Sequence, residues 1–133
     1  MMRQIMRAAV PVGLVIAMLA HGAAFRAANA VVFDETFYVK DAWTLVNLGY
    51  ESRWPAEADV LFAAGQTNIF LTDPSFVVHP PLGKWLIGMG MLLLGPENPV
   101  GWRITTAIAG ILAVVLIMLI ARRLFGSTLL ATI

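Results

Sequence analysis

Apolar positions are distributed along the chain in runs of different length and period. The first run, Ala8 to Phe25, is 18 residues long and carries no formal charge. As a helix it reaches about 27 Å, close to the roughly 30 Å hydrocarbon core of a bilayer. Pro11 falls in its first turn, where a missing N–H costs little. His21 and Gly22 make its far end polar. The pattern predicts a transmembrane helix over 8–25. A second reading fits the same residues: Met1 to Arg7 and Ala9 to Ala20 as a signal peptide, with Ala28-Asn29-Ala30 as its cleavage site.

The period then changes. Val39, Ala42, Trp43, Val46 and Tyr50 recur at helical spacing and share one face. Lys40, Thr44, Asn47 and Glu51 share another. This predicts a helix over about 36–50 that is too polar to span. It suits either the membrane interface, with Trp43 and Tyr50 at headgroup depth, or packing on a protein core. Residues 52–78 are irregular, broken by Pro55, Gly65 and Pro74. Phe62, Ile69, Phe70 and Phe76 are apolar enough there to enter a groove or lipid.

His79-Pro80-Pro81 must be extended, because proline fixes its own φ and restricts the residue before it. Trp85 to Gly95 is apolar but only 11 residues long. About 17 Å of helix is too short to cross, so an interfacial or re-entrant helix over about 83–95 is expected, ended by Gly95-Pro96. Ile104 to Ala121 gives 18 uncharged residues between Arg103 and Arg122, the second predicted span. Residues 122–133 read as a cytoplasmic turn and the start of a third apolar helix, so a partial sequence is expected.

Composition agrees with a bilayer protein. Of 133 residues, 59% are hydrophobic and only 13% charged, against about a quarter charged in soluble domains. A net charge of +1 without a basic stripe gives no reason to expect nucleic acid. There is no cysteine, which removes disulfides and thiolate metal sites. The placement of charge is more informative. All eight acidic residues lie between Asp34 and Glu97, whereas Arg3 and Arg7 precede the first run and Arg122 and Arg123 follow the last clear one. By the positive-inside rule both ends are cytoplasmic, and residues 26–103 form an extracytoplasmic loop. The expected fold class is therefore all-α and integral to the membrane.

Two loop segments carry candidate chemistry. Phe33-Asp34-Glu35-Thr36-Phe37-Tyr38-Val39-Lys40-Asp41-Ala42-Trp43 resembles the first-loop signature of the protein O-mannosyltransferase family, of the GT-C class of membrane glycosyltransferases. His79-Pro80-Pro81-Leu82-Gly83-Lys84-Trp85-Leu86-Ile87 resembles its second loop motif. Gly101-Trp102-Arg103 and Ala121-Arg122-Arg123-Leu124-Phe125-Gly126 resemble the flanks of its second helix. The likeness is to the actinobacterial branch and runs over residues 31–126. It implies the N-terminal part of a multi-span fold in the plasma membrane, with residues 1–30 retained as a helix.

The resemblance also implies a reaction. Mannose would pass, with inversion, from a polyprenyl phosphate to a Ser or Thr hydroxyl of an exported polypeptide. A hydroxyl is a weak nucleophile and needs a base; the family's acidic residue matches Asp34. Glu35 would position the acceptor or share the proton. The competing structural role for Asp34 is an N-cap, with Glu35 favourable in the first turn. Lys84 and backbone N–H groups at the start of a helix suit a phosphate, or else Lys84 snorkels to lipid headgroups. His79 would orient acceptor or phosphate, or bond a neighbouring loop. Arg103 would meet phosphate, or mark the membrane edge. The donor already carries its phosphate leaving group, so no metal and no cofactor is expected. The isolated chain supplies only part of such a site and is expected to be inactive alone. Two alternatives remain: another GT-C transferase acting on a lipid or glycan, and a small membrane protein without enzymatic activity.

Overall fold

The computed structural model describes residues 31 and 33–128. The 8–25 span, the signal-peptide alternative and most of the third helix's start lie outside them. The described residues divide into two compact units, one up to Thr106 and one from Ala107. Among them four helices follow in order: α1 over Glu35–Leu48, α2 over Ala58–Ala63, α3 over Leu82–Leu94 and α4 over Pro99–Phe125.

α1 begins where Thr36 folds its hydroxyl back onto the Phe33 carbonyl at 2.8 Å. It ends at Gly49, whose φ of 81° is the left-handed conformation that closes helices, its N–H donating to Leu45 O. The helical period read from sequence names part of the buried face; Thr44 and Glu51, placed on the polar face, are buried as well, as is Leu45. Val39, Ala42 and Trp43 are buried. They pack into protein: the core joins them to Phe62 of α2, Met91 of α3 and Trp102 of α4. Of the two environments that fit the period, the protein core is the one observed for these three residues, and Trp43 does not face headgroups. Tyr50, on the same stripe, is exposed and donates to Thr72 O.

The irregular stretch 52–78 supplies part of this core. Phe62 is wholly buried, while Trp54 meets Phe62 and Phe70 edge-on at 5.5 and 5.7 Å. Residues 51–53 run antiparallel to 71–75, with Arg53 N–H donating to Asp73 O, Leu71 N–H to Arg53 O and Ser75 N–H to Glu51 O, each at 2.9 Å. These bonds carry the chain from the end of α1 back toward His79. Phe76, by contrast, is exposed.

α3 packs between α1 and the first turns of α4, and two glycines permit it. A Cβ on Gly88 would run into Val46 and the Ala42 carbonyl of α1. A Cβ on Gly90 would run into the Gly101 carbonyl of α4. Residues two apart point to nearly opposite sides of a helix, so Gly88 and Gly90 admit one neighbour each. Gly90→Ala is expected to destabilise the fold by about 1–3 kcal/mol through overpacking, despite alanine's better helix propensity. Thermal unfolding of the purified protein measures this; an unchanged Tm would contradict the close approach.

α4 starts five residues before the predicted span. Asn98 Oδ1 accepts from the Val100 N–H at 3.0 Å, and Pro99 occupies the first helical position, where proline is pre-organised. The sequence reading took Arg103 as the boundary and missed this cap. Trp102, 1% exposed, is thereby inside the helix, and its indole N–H donates to Pro96 O at 2.6 Å. Thr105 Oγ1 donates to Leu86 O at 2.6 Å and ties α4 to α3. Beyond, Ile108, Leu112, Leu116, Ile117 and Ile120 are exposed. At 27 residues, α4 is the one described helix long and apolar enough to cross a membrane. It ends at Gly126, with Arg122 and Arg123 in its last turn.

Candidate functional site

The two sequence motifs meet at the polar side of α1. Asp34, Tyr38 and Asp41 follow one another at spacings of four and three, which puts them on one strip of the helix. The His79-Pro80-Pro81 turn and the first turn of α3 lie along that strip. The His79 and Tyr38 rings are 5.6 Å apart. Lys84 Nζ sits over the same tyrosine ring at 6.0 Å.

Asp34 occupies the N-cap position of α1, but its side chain makes no capping hydrogen bond. Its carbonyl does the capping work, accepting from Phe37 and Tyr38 N–H at 3.0 Å each. The carboxylate is exposed. Glu35, its neighbour, is held differently. Arg103 donates from Nε to Glu35 Oε1 and from its terminal nitrogen to Oε2, both at 2.7 Å. This two-pronged pairing is the strong, planar form of an Arg–carboxylate bond, and it closes a separation of 68 residues. Arg103 also lies on the Trp102 ring at 5.8 Å. Of the adjacent acids, Glu35 is clamped and Asp34 is presented.

Lys84 neither snorkels nor faces outward. It is 3% exposed and pairs with Glu51 at 2.7 Å and Asp41 at 3.0 Å. Burial disfavours its ammonium, yet hydrogen bonding to Glu51 and Asp41 outweighs this and raises it above the ordinary lysine value. Burial pushes the Asp41 carboxyl up, and the Lys84 bond and charge do not fully offset it. One cation thus neutralises one of two carboxylates, and the second is there at a cost.

That cost has a sign. Folded Asp41 keeps its proton to a higher pH than unfolded Asp41, so stability falls as pH rises from the ordinary aspartate value through the raised one. Asp41→Asn removes the effect and leaves a balanced Lys84–Glu51 pair. Its Tm at pH 7 is expected to equal or exceed that of the wild type, with the advantage shrinking below about pH 4. A Tm several degrees lower at pH 7 would show Asp41 to be a net stabiliser.

All five residues singled out in the sequence, Asp34, Glu35, His79, Lys84 and Arg103, therefore fall on or beside this strip. Sequence reasoning missed Tyr38, Asp41 and Glu51 as site members. The four-and-three spacing from Asp34 was a signal for the first two. Nothing local marked Glu51, which reaches Lys84 only because Gly49 turns the chain.

These features describe a mainly helical protein that carries an apolar helix of membrane-crossing length and a layer of paired charges around one presented aspartate. Residues 78–133 match the family model described as dolichyl-phosphate-mannose-protein mannosyltransferase. The chain is 40% identical over 105 residues to the polyprenol-phosphate-mannose--protein mannosyltransferase of Corynebacterium glutamicum, a match covering 77% of this chain and 18% of the relative. It is 36% identical over 109 residues to that of Mycolicibacterium smegmatis, and 35% identical over 109 residues to that of Mycobacterium tuberculosis, each covering 80% of this chain and 17% of the relative. No solved structure matches. The chain is thus similar over most of its length to these mannosyltransferases. It spans about a sixth of the length of the curated relatives it matches.

Proposed function

We propose that the full-length protein transfers mannose from polyprenyl-phosphate-mannose to Ser or Thr hydroxyls of exported polypeptides, and that Asp34 is the base. The acceptor Oγ attacks the anomeric carbon, the bond from that carbon to the phosphate oxygen breaks, and the hydroxyl proton passes to the Asp34 carboxylate. Polyprenyl phosphate leaves with the electron pair. One displacement inverts the anomeric centre. The chemistry asks for no metal, because the leaving group is already a phosphate ester.

The observation that carries this reading is the presented Asp34 carboxylate beside the Arg103-clamped Glu35, in a chain 40% identical over 105 residues to a named mannosyltransferase. In the proposal Glu35 shapes the acceptor's approach while Arg103 fixes it, and His79 stands beside Tyr38, one helical turn from Asp34. Arg103 and Lys84 are candidates for the lipid phosphate only if they exchange or share their carboxylate partners. The proposed topology puts residues 1–7 and 122–133 in the cytoplasm, spans at 8–25 and 104–121, and the site on the outer face of the plasma membrane. The exposed face of α3, with Leu82, Trp85, Met89 and Leu93, would lie in the interface beside the lipid-linked donor.

The test is acceptor choice. Membranes bearing the full-length protein receive polyprenyl-phosphate-mannose with a Ser/Thr peptide, or with lipid and glycan acceptors. Mannosylated peptide is expected. Transfer only to lipid or glycan would replace this reading with a different lipid-linked-sugar transferase.

A further inference from the structure

We infer that Asp41 is a positioning residue, which draws Lys84 across the Tyr38 ring and so seats the His79-Pro80-Pro81 turn alongside Asp34. The inference rests on the transferase reading above and adds a residue to it.

Three observations lead to it. First, Lys84 is held by two carboxylates that act differently. Glu51 is 3% exposed and its Oε2 lies 2.7 Å from Lys84 Nζ, which balances the buried charge. The directed hydrogen bond runs instead to Asp41 Oδ2 at 3.0 Å, from a side chain that is 20% exposed. Charge balance and direction are thus divided between the two acids.

Second, Asp41 lies on the same strip as the proposed base. Asp34, Tyr38 and Asp41 succeed one another along α1, and Asp41 Oδ2 accepts from Lys84 Nζ at 3.0 Å. Glu51 lies beyond the far end of the helix, past Gly49. With Glu51 alone, Lys84 is drawn toward that end. With Asp41 as well, it is held over the Tyr38 ring at 6.0 Å.

Third, Lys84 is joined to His79 through four consecutive residues, two of them prolines. Prolines hold φ near one value, so this short segment has little slack. The Trp85 N–H donates to Pro81 O at 2.8 Å, which fixes the turn to the start of α3. The position of Lys84 along α1 therefore sets where the His79 ring rests on Tyr38, 5.6 Å between centroids. Tyr38 is one helical turn from Asp34. The bond from Asp41 acts at the other end of the same lever.

The account separates Asp41 from a residue that merely holds the fold together. In the full-length protein, Asp41→Asn is expected to lower kcat by about tenfold or more, as small misplacements near a reacting group do. The KM for polyprenyl-phosphate-mannose should stay within about twofold, because no donor contact is lost. Tm at neutral pH should not fall. Asp41→Glu, which restores the charge, should recover part of the lost rate. Amide exchange should quicken from Leu82 to Leu86 and remain unchanged at the end of α1.

Other outcomes overturn the inference. A wild-type kcat in Asp41→Asn means that the bond positions nothing. A tenfold change in donor KM with kcat unchanged makes Lys84 a phosphate ligand that Asp41 modulates. A drop in Tm that accompanies the drop in rate makes Asp41 structural. If the wild type itself transfers no mannose, the transferase reading fails on its own. The exchange comparison then still decides whether Asp41 seats the turn, and equal exchange in both proteins rejects it.

Discussion

Asp34→Asn in the full-length protein is expected to lower the mannosyl transfer rate by about 10²–10⁴-fold, the usual contribution of a positioned general base. Asparagine keeps the size and the hydrogen-bonding reach of the side chain but cannot accept the hydroxyl proton. The fold should not notice. The Asp34 side chain makes no cap hydrogen bond, and the carbonyl that does accept from Phe37 and Tyr38 is backbone. Expression, membrane insertion and Tm should match the wild type. Asparagine caps as well as aspartate, so the cap is tested by Asp34→Ala, which would cost about 1 kcal/mol of helix stability if the side chain were a working N-cap. The two roles are thus separable: a loss of rate in both variants at constant Tm supports the base, and a lower Tm in Asp34→Ala with full rate in Asp34→Asn supports the cap.

Lys84→Met is the second large effect, and it falls on stability. The substitution leaves Glu51 and Asp41 facing each other without a cation, one of them nearly inaccessible to water. Removing one partner from a buried ion pair costs about 3–5 kcal/mol, a large part of the roughly 5–15 kcal/mol that holds a domain folded. The loss should shrink on acidification. Burial raises the Asp41 carboxyl above its ordinary value, and protonating it relieves the repulsion from Glu51. The variant's Tm should therefore rise as pH falls toward the carboxylate range, while the wild type, whose lysine is paired, responds less. Chemical or thermal unfolding at pH 7 and pH 5 measures this. A Lys84→Met protein as stable as the wild type at both would show that the lysine's partners in the fold are energetically idle.

The two predictions divide the charge layer by task. The Glu35–Arg103 pair joins the head of α1 to the head of α4, and the Lys84 cluster joins the middle of α1 to the head of α3. Each draws a helix against α1 through side chains 43 to 68 residues apart in the chain. Asp34 lies just ahead of both ties along α1 and is consumed by neither. A base must be held in place by its neighbours and yet remain available to a substrate, and this arrangement meets both requirements.

Helix positions were largely legible in the sequence. α3 stops at Gly95 as its apolar run suggests, whereas α1 stops at Gly49, short of Tyr50, which the helical period had included. The start of α4 was missed because charge at Arg103 was weighed above the Asn98-Pro99 cap. Periodicity also found the buried face of α1 but could not name what covers it, since a lipid interface and a protein core ask for the same apolar stripe. Phe62, in a stretch with no period, became central to the core; isolated aromatics in loops carry no pattern that says where they dock. At the site, the motifs exposed Asp34, Glu35, His79, Lys84 and Arg103 as chemically interesting. They did not reveal that Glu35 and Lys84 would be met by Arg103, Asp41 and Glu51, because such pairing is fixed by the packing of three helices and not by local spacing.

The stereochemistry of transfer tests the central claim most directly. A single displacement by a base-activated hydroxyl must invert the anomeric carbon, whereas a carboxylate acting as nucleophile gives two displacements and net retention. NMR of the peptide mannosylated by the full-length protein, set beside the configuration of mannose in the donor, reads this out. The account predicts inversion, lost in rate but not in sense in Asp34→Asn. Retention of configuration would contradict Asp34 as the base.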